Sequence, residues 1–274
     1  MVKKVRDSFY HIILVLASVL AAFPLIWILL SSFKTSAEIN NNPTKILPEA
    51  WTLENYIYVL KDLNFGSNLI NSLIIALSTT LVTIFVSTLA AYGIIRFFPK
   101  VGKVITRLLI STYMFPTILL AIPFSVIMAA LRLVNTRVGL ILVYLSFSVP
   151  YAIWLLVGFF QTVPLGIEEA ARIDGANKWQ VFSKVVVPII TPGIVSTAIY
   201  TFINAWNEFL YGLVLINSTD KTTIAVALRA LESQEIISWG QLMAASALVV
   251  LPSIVFFLII QKKITGGLAE GSVK

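Results

Sequence analysis

Charged side chains are concentrated in one short stretch of an otherwise apolar sequence, EEAARIDGANKWQVFSKVVVP, at residues 168–188. Its adjacent carboxylates can pair with a partner's basic groups, and Ala170 and Ala171 would let another surface come close to a helix backbone. An amphipathic connector lying on a membrane surface explains the same composition. The residues alone favour neither alternative. The charged residues are Glu168, Glu169, Arg172, Asp174, Lys178 and Lys184.

Polar residues also recur at helical spacing further along the chain. Asn204, Asn207 and Glu208 stand at i, i+3 and i+4, and Tyr211 extends the stripe, so one continuous helix would place them on one face. Polar groups at membrane depth normally face a bundle interior or water, which makes these four residues candidates for a solute path. The alternative is hydrogen bonding between helices that only holds subunits together.

The elements that carry these residues are predicted to be membrane-spanning helices. Hydrophobic residues make up 58% of the 274-residue chain and charged residues 12%, against about 25% charged in soluble proteins. Apolar runs of roughly 20 residues, enough to cross a bilayer, recur along the chain. We therefore predict an all-α integral membrane protein with six transmembrane helices. The predicted spans are 11–32, 68–96, 104–130, 138–161, 190–216 and 242–261.

The distribution of basic residues predicts the orientation. The first apolar run is longer than a cleavable signal core, so it is expected to be a retained span. With the N-terminus inside, the cytoplasmic segments hold 13 Lys and Arg residues and the outer segments 7, although Arg132 and Arg137 run against this rule. Both termini and the charged loop are therefore predicted to be cytoplasmic. The basic residues lie beside apolar runs and form no stripe with aromatics, which argues against nucleic-acid binding.

Local signals predict two short helices inside the charged stretch. Pro164 suits the first position of a helix, and Gly175 is placed to end that helix in a left-handed conformation. Asn177 can then cap a second helix, with Gln180 three residues later in a capping-box arrangement. Pro188 is expected to help bend the chain toward the next span.

The same stretch resembles the EAA loop of ABC importer permeases. Glu169-Ala170-Ala171, three residues, Gly175, nine residues, an apolar pair and Pro188 reproduce that pattern, although Val185 and Val187 stand where the family more often has Ile and Leu. The segments FKTSAEI, TLENYIYVL, NSLIIA, AWNEFLYGLVL and GGLAEGSVK extend the resemblance to the carbohydrate-importer branch, and within it to the smaller, maltose-type permease subunit.

The resemblance implies a function and a set of partners. It implies a type I importer permease in a prokaryotic cell membrane, paired with a second permease, a cytoplasmic ABC ATPase dimer and an extracytoplasmic solute-binding protein, with a carbohydrate as solute. ATPase closure would be transmitted by the EAA helix, so Glu168, Glu169, Ala170, Ala171, Asp174 and Gly175 are predicted coupling residues. The C-terminal tail is expected to contact the ATPase through Gly266, Gly267, Glu270 and Gly271.

The chain is not expected to be an enzyme or to hold a cofactor. A phosphate-binding loop needs G-x-x-x-x-G-K-[ST], and Ser272 stands where GGLAEGSVK would need lysine. ATP and magnesium are therefore assigned to the partner ATPase. The resemblance implies a first helix and outer loop at 1–66, a permease core at 67–262 with its coupling loop at 163–190, and a tail at 263–274.

Two other classes remain open from the residues alone. An ion-gradient-driven secondary transporter usually shows inverted repeats, and no convincing repeat is found in the sequence. A purely structural membrane scaffold is the other alternative. The spacing of the EAA pattern is the main argument against both.

Overall fold

A computed structural model describes residues 2–233 and 238–271, with side chains described over 9–233 and 238–260. The described residues contain helices and no strand, which agrees with the predicted all-α class. The helices are α1 (Val2–Ser31), α2 (Ser36–Asn41), α3 (Glu54–Lys61), α4 (Phe65–Arg96), α5 (Pro99–Tyr113), α6 (Ala121–Ala130), α7 (Arg137–Gln161), α8 (Leu165–Ile173), α9 (Lys178–Gln180), α10 (Val187–Ile189), α11 (Thr191–Asn207), α12 (Leu210–Leu215), α13 (Ile224–Glu232) and α14 (Trp239–Gly271). A 3₁₀ helix covers Thr117–Leu120 and a π-helix covers Val181–Val186.

Four helical segments are long and apolar enough to cross a membrane, and six spans result if each of two bent pairs also crosses. The four are Phe9–Ser31, Phe65–Arg96, Arg137–Gln161 and Trp239–Ile260. They correspond to the first, second, fourth and sixth predicted spans.

The third and fifth predicted spans are not straight helices. α5 and the segment Thr117–Ala130 meet at an angle of 89°, just where Pro116 removes a backbone donor. The segments Lys178–Ile189 and Thr191–Asn207 meet at 73°, between Pro188 and Pro192. The prediction that the fifth span runs unbroken over 190–216 is wrong, because α11 ends at Asn207 and Glu208 is extended, with φ −68° and ψ 124°.

Residue contacts divide the chain into two compact units. The first contains Met1–Gly66 and Ala227–Leu251, and the second contains Ser67–Val226 and Pro252–Lys274. In the first unit the buried Asn55 amide donates to the carbonyls of Ser32 (3.0 Å) and Lys34 (2.8 Å). A Cβ on Gly240 would lie 2.6 Å from Asn55 Oδ1, so glycine permits this close approach of α14. The predicted domain boundaries stay a prediction.

The second unit holds both candidate sites. Its hydrophobic core joins the ends of α4 and α7 to the π-helix, and the ring centroids of Tyr92 and Phe182 are 4.9 Å apart. Phe160, at 0% exposure, packs its ring 5.6 Å from that of Tyr92. The charged loop that follows α7 is therefore folded onto the core by its own apolar residues.

Candidate functional site

The predicted pair of short helices is confirmed in the charged loop. α8 ends in a Schellman motif, in which the Ala176 N–H donates to the Ala171 carbonyl (3.0 Å) and the Gly175 N–H to the Arg172 carbonyl (3.0 Å). Gly175 has φ +90°, a conformation that side chains rarely adopt. Pro164 is the N-cap of α8, one position earlier than predicted.

The second short helix begins with the predicted capping box. The Gln180 backbone N–H donates to Asn177 Oδ1 and the Asn177 backbone N–H donates to Gln180 Oε1, both at 2.9 Å. The chain then widens into the π-helix, which the sequence pattern does not reveal. Val181 and Val186, both at 0% exposure, fix the π-helix to the core.

α8 presents an exposed face formed by residues four positions apart. Leu165, Glu169 and Ile173 lie on this face, and Ile173 is 86% exposed. Ala170 is exposed beside them, so the face combines apolar side chains, one carboxylate and one small residue. An exposed apolar patch of this kind marks an interaction surface. Asp174 and Gly175 are exposed at the end of the helix.

Glu168 faces the opposite way and is 1% exposed, so Glu169 is the carboxylate of this pair that is exposed to a partner's basic residue. Its carboxylate accepts from Arg96 Nε at 2.5 Å and from the Tyr92 hydroxyl at 2.9 Å. Arg96 also donates to the Val163 carbonyl at 2.9 Å. A buried carboxylate thus ties α8 to the end of α4. The role of Glu168 in coupling stays a prediction, now as a positioning residue.

The two alanines of the EAA pattern also have separate surroundings. Ala171 packs against the hydrophobic core, whereas Ala170 is exposed. Sequence reasoning assigned both to the approach of a partner, and only Ala170 is placed for that. The 3.6-residue helical period separates them, because adjacent residues on a helix point about 100° apart.

The candidate solute-path residues line one cavity of about 580 Å³ in the second unit. The bend between α5 and the 3₁₀ helix forms one wall of the cavity, the end of α11 forms a second, and α7 forms a third. Asn204 and Asn207 are exposed to this space, and Tyr211 is buried at its edge. The cavity is lined by Tyr113, Met114, Phe115, Pro116, Thr117, Tyr144, Phe147, Ser148, Tyr200, Ile203, Asn204, Ala205, Asn207, Glu208 and Tyr211.

The four path residues share the cavity but not one helix face. Because α11 ends at Asn207, the predicted continuous stripe is interrupted before Glu208. The Glu208 carboxylate accepts from the Tyr211 N–H (2.9 Å), the Gly212 N–H (3.2 Å) and the Tyr144 hydroxyl (2.6 Å). Glu208 therefore satisfies the first donors of α12 and holds the helix break in shape.

Aromatic rings extend the lining of the cavity along α7. Tyr200 forms a hydroxyl–hydroxyl hydrogen bond with Tyr113 and stacks on Tyr151 with centroids 4.2 Å apart. The Phe147 and Tyr211 rings are 5.5 Å apart. Sequence reasoning missed Tyr113, Tyr200 and the α7 residues, although aromatic positions recurring every three or four residues along α7 were a usable signal.

The predicted ATPase contacts of the C-terminal tail, and the assignment of ATP and magnesium to the partner, stay predictions. The backbone of α14 continues through Gly266, Gly267 and Glu270 to Gly271, but their side chains lie outside the described residues. Their contact with an ATPase stays a prediction. Over the parts of the chain that the structure describes, no group of three His, Cys, Asp or Glu residues is arranged to hold a metal ion.

Comparison with known proteins shows one family and one fold. Residues 83–268 match the family described as binding-protein-dependent transport system inner membrane component. The chain is similar to the alginate importer described as a bacterial ABC transporter involved in the import of the acidic polysaccharide alginate, with a TM-score of 0.77, 22% identity, and coverage of 94% of this chain and 96% of that one. That likeness supports the all-α permease fold.

Relatives of similar length carry names of sugar uptake systems. The chain is 33% identical over 266 residues to the diacetylchitobiose uptake system permease protein NgcG of Streptomyces coelicolor, covering 96% of this chain and 88% of the relative. It is 37% identical over 272 residues to the trehalose transport system permease protein SugB of Mycobacterium tuberculosis, covering 98% of each. For the trehalose/maltose transport system permease protein MalG of Thermococcus litoralis, identity is 34% over 263 residues, with coverage of 95% and 94%.

Proposed function

Because the chain belongs to the family of binding-protein-dependent transport system inner membrane components, and is thus a non-catalytic permease subunit of an ABC importer, we propose that it imports a carbohydrate. The names of its relatives support a sugar or related glycoside as the solute. The cavity chemistry is compatible, since Asn204 and Asn207 offer amides that can replace water around hydroxyl groups. Tyr200, which is partly exposed, adds a flat aromatic surface.

We propose three protein partners: a second permease, a cytoplasmic ABC ATPase dimer that binds ATP and magnesium, and an extracytoplasmic solute-binding protein. The complex lies in a prokaryotic cell membrane with both termini of this chain cytoplasmic, as the excess of basic residues at the termini and in the even-numbered connections supports. The relatives' names and the family description support such an assembly but leave its composition to experiment.

The observation that carries the coupling proposal is the two-sided arrangement of α8. Its outer face exposes Glu169, Ala170 and Ile173, while Glu168 on the inner face is bound to Arg96. The exposed face of α8 can dock the ATPase, and the Glu168–Arg96 pair on the buried face can pass a displacement of α8 to the transmembrane helices. ATPase closure would then rotate the bundle and open the solute path in alternation.

Transport in reconstituted vesicles tests this proposal. Glu169→Lys reverses the exposed charge and Gly175→Val strains the turn, so both should reduce ATP-driven uptake of a labelled disaccharide. Glu54→Lys is the matched control, because Glu54 is exposed on α3 and belongs to neither site. Full uptake by both variants would contradict the assignment of α8 as the coupling helix. Uptake that persists without nucleotide would contradict the ATP-driven mechanism.

A further inference from the structure

A second cavity, of about 390 Å³, lies in the first unit at the end of α1. Trp27 and Ser31 line it from α1, Asn40 from α2 and Trp239 from the start of α14. Lys34 completes the polar part of the lining. The cavity is separate from the solute cavity, and the proposed transport function does not use it.

Lys34 is a buried cation without a counter-anion among the described residues. The residue is 1% exposed, and its ammonium donates to the Lys45 carbonyl and lies 5.1 Å from the centroid of the Trp27 ring. Neither contact is with a carboxylate. The ammonium has three donors, so it retains capacity for an anion.

The nearest acid in sequence does not supply that anion. Glu38, four residues after Lys34, is 8% exposed, and its Oε1 accepts from the Glu49 backbone N–H at 2.8 Å, while its Oε2 is buried without a hydrogen-bond partner. It makes no ion pair with Lys34 in the described part of the chain. Because a buried charge without an opposite charge is strongly unfavourable, the site is built to receive an anion from outside the chain.

The setting favours a membrane lipid as the source of this anion. Residues 9–30 of α1 are all at least partly exposed, so its apolar surface continues up to the cavity, where Ser31 is buried. Trp27 and Trp239 lie at the ends of candidate spans, where tryptophan marks the membrane–water interface. Ser31 and Asn40 supply further donors in the lining of the same cavity.

We propose that this cavity binds the phosphate of an anionic phospholipid headgroup, with Lys34 as its counter-cation and the two tryptophans beside the glycerol region. In the proposed topology this headgroup belongs to the outer leaflet. The lipid would hold α1 against α2 and the beginning of α14, and so act as a structural ligand of the first unit.

The test uses the assembled transporter in nanodiscs of phosphatidylcholine with or without phosphatidylglycerol. Phosphatidylglycerol should raise the Tm by a few degrees, and native mass spectrometry should find it retained. Lys34→Met should abolish the Tm rise and the retention while leaving the protein at least as stable in pure phosphatidylcholine, because it removes an uncompensated charge. Lys61→Met is the control, since Lys61 is exposed on α3 and should leave the lipid effect intact.

Asn40→Asp keeps the test decisive if Lys34→Met does not fold. Asn40 is exposed and lines the same cavity as Lys34, so an added carboxylate there should remove the dependence on phosphatidylglycerol without disturbing packing. Glycerol 1-phosphate added in neutral nanodiscs distinguishes the source: an equal Tm rise would show a soluble phosphate site instead of a lipid site. An unchanged phosphatidylglycerol effect in both variants would overturn the proposal.

Discussion

Breaking the buried ion pair between Arg96 and Glu168 should both destabilise the protein and uncouple it. The two side chains are 9% and 1% exposed and the Nε–Oε1 distance is 2.5 Å. Arg96→Met leaves the Glu168 carboxylate buried with the Tyr92 hydroxyl and with Arg172, which is 3.9 Å away and half-exposed. Removing one partner of a buried pair costs about 3–5 kcal/mol.

Two variants at adjacent positions give a matched comparison. Glu168→Gln removes the charge but keeps an acceptor for Tyr92, so we expect a loss of about 1–3 kcal/mol in the free energy of unfolding. Glu169→Gln changes an exposed carboxylate, and we expect a change within about 0.5 kcal/mol. Arg96→Met combined with Glu168→Leu removes both charges and should recover part of the stability lost in Arg96→Met alone.

The assay is denaturant unfolding of the assembled transporter, read by tryptophan fluorescence, together with ATP hydrolysis and uptake in vesicles. If Glu168 anchors α8, Arg96→Met should lose uptake to a greater extent than ATP hydrolysis. An Arg96→Met protein as stable as Glu169→Gln, with hydrolysis and uptake reduced in parallel, would refute the anchoring role.

Three further predictions concern the loop, the packing of α11 and the solute cavity. Gly175→Val should lower the free energy of unfolding by about 1–3 kcal/mol, because residue 175 has a φ of +90° that valine rarely adopts. Gly166→Ala should leave the free energy of unfolding unchanged, because there is open space around a Cβ at that position, and thermal unfolding of the two variants measures the difference. Gly193→Val should lower the free energy of unfolding by about 1–3 kcal/mol, because a Cβ at this position would lie 2.3 Å from the Phe159 ring. Gly158→Ala, which has open space around its Cβ, is the control, and equal unfolding free energies for the two variants would contradict the prediction. Asn207→Leu removes an exposed amide from the cavity and should raise the KM for uptake several-fold with little change in unfolding.

Features encoded by neighbouring residues were predictable from the sequence. Gly175 and the Asn177–Gln180 capping box depend on contacts within a few positions, so their geometry follows from residue type and spacing. The apolar runs of α4 and α7 were equally clear, because length and hydropathy decide them.

Features that depend on distant contacts were not predictable. Glu168 and Glu169 are neighbours of the same type, and only the position of Arg96, 72 residues earlier, decides which one turns inward. The helix break at Glu208 depends on a hydrogen bond from Tyr144 and on the first backbone donors of α12. The helical spacing of the polar residues carries no sign of these contacts, so it predicted one continuous stripe. The four predicted residues still line one cavity, because the bend after Tyr113 places the end of α5 and the 3₁₀ helix opposite them.

α8 is attached to its neighbours in two different ways. At one side the buried pair of Glu168 and Arg96 joins it to α4 through short, charge-assisted bonds. At the other side the chain passes through a π-helix, Val181–Val186, which is packed on the core, and then through a 73° bend before α11. Under the coupling proposal, a push on the exposed face would make α8 act as a lever held at Glu168. The ion pair would pass the displacement straight to α4, whereas α11 would receive it only after the π-helix and the bend.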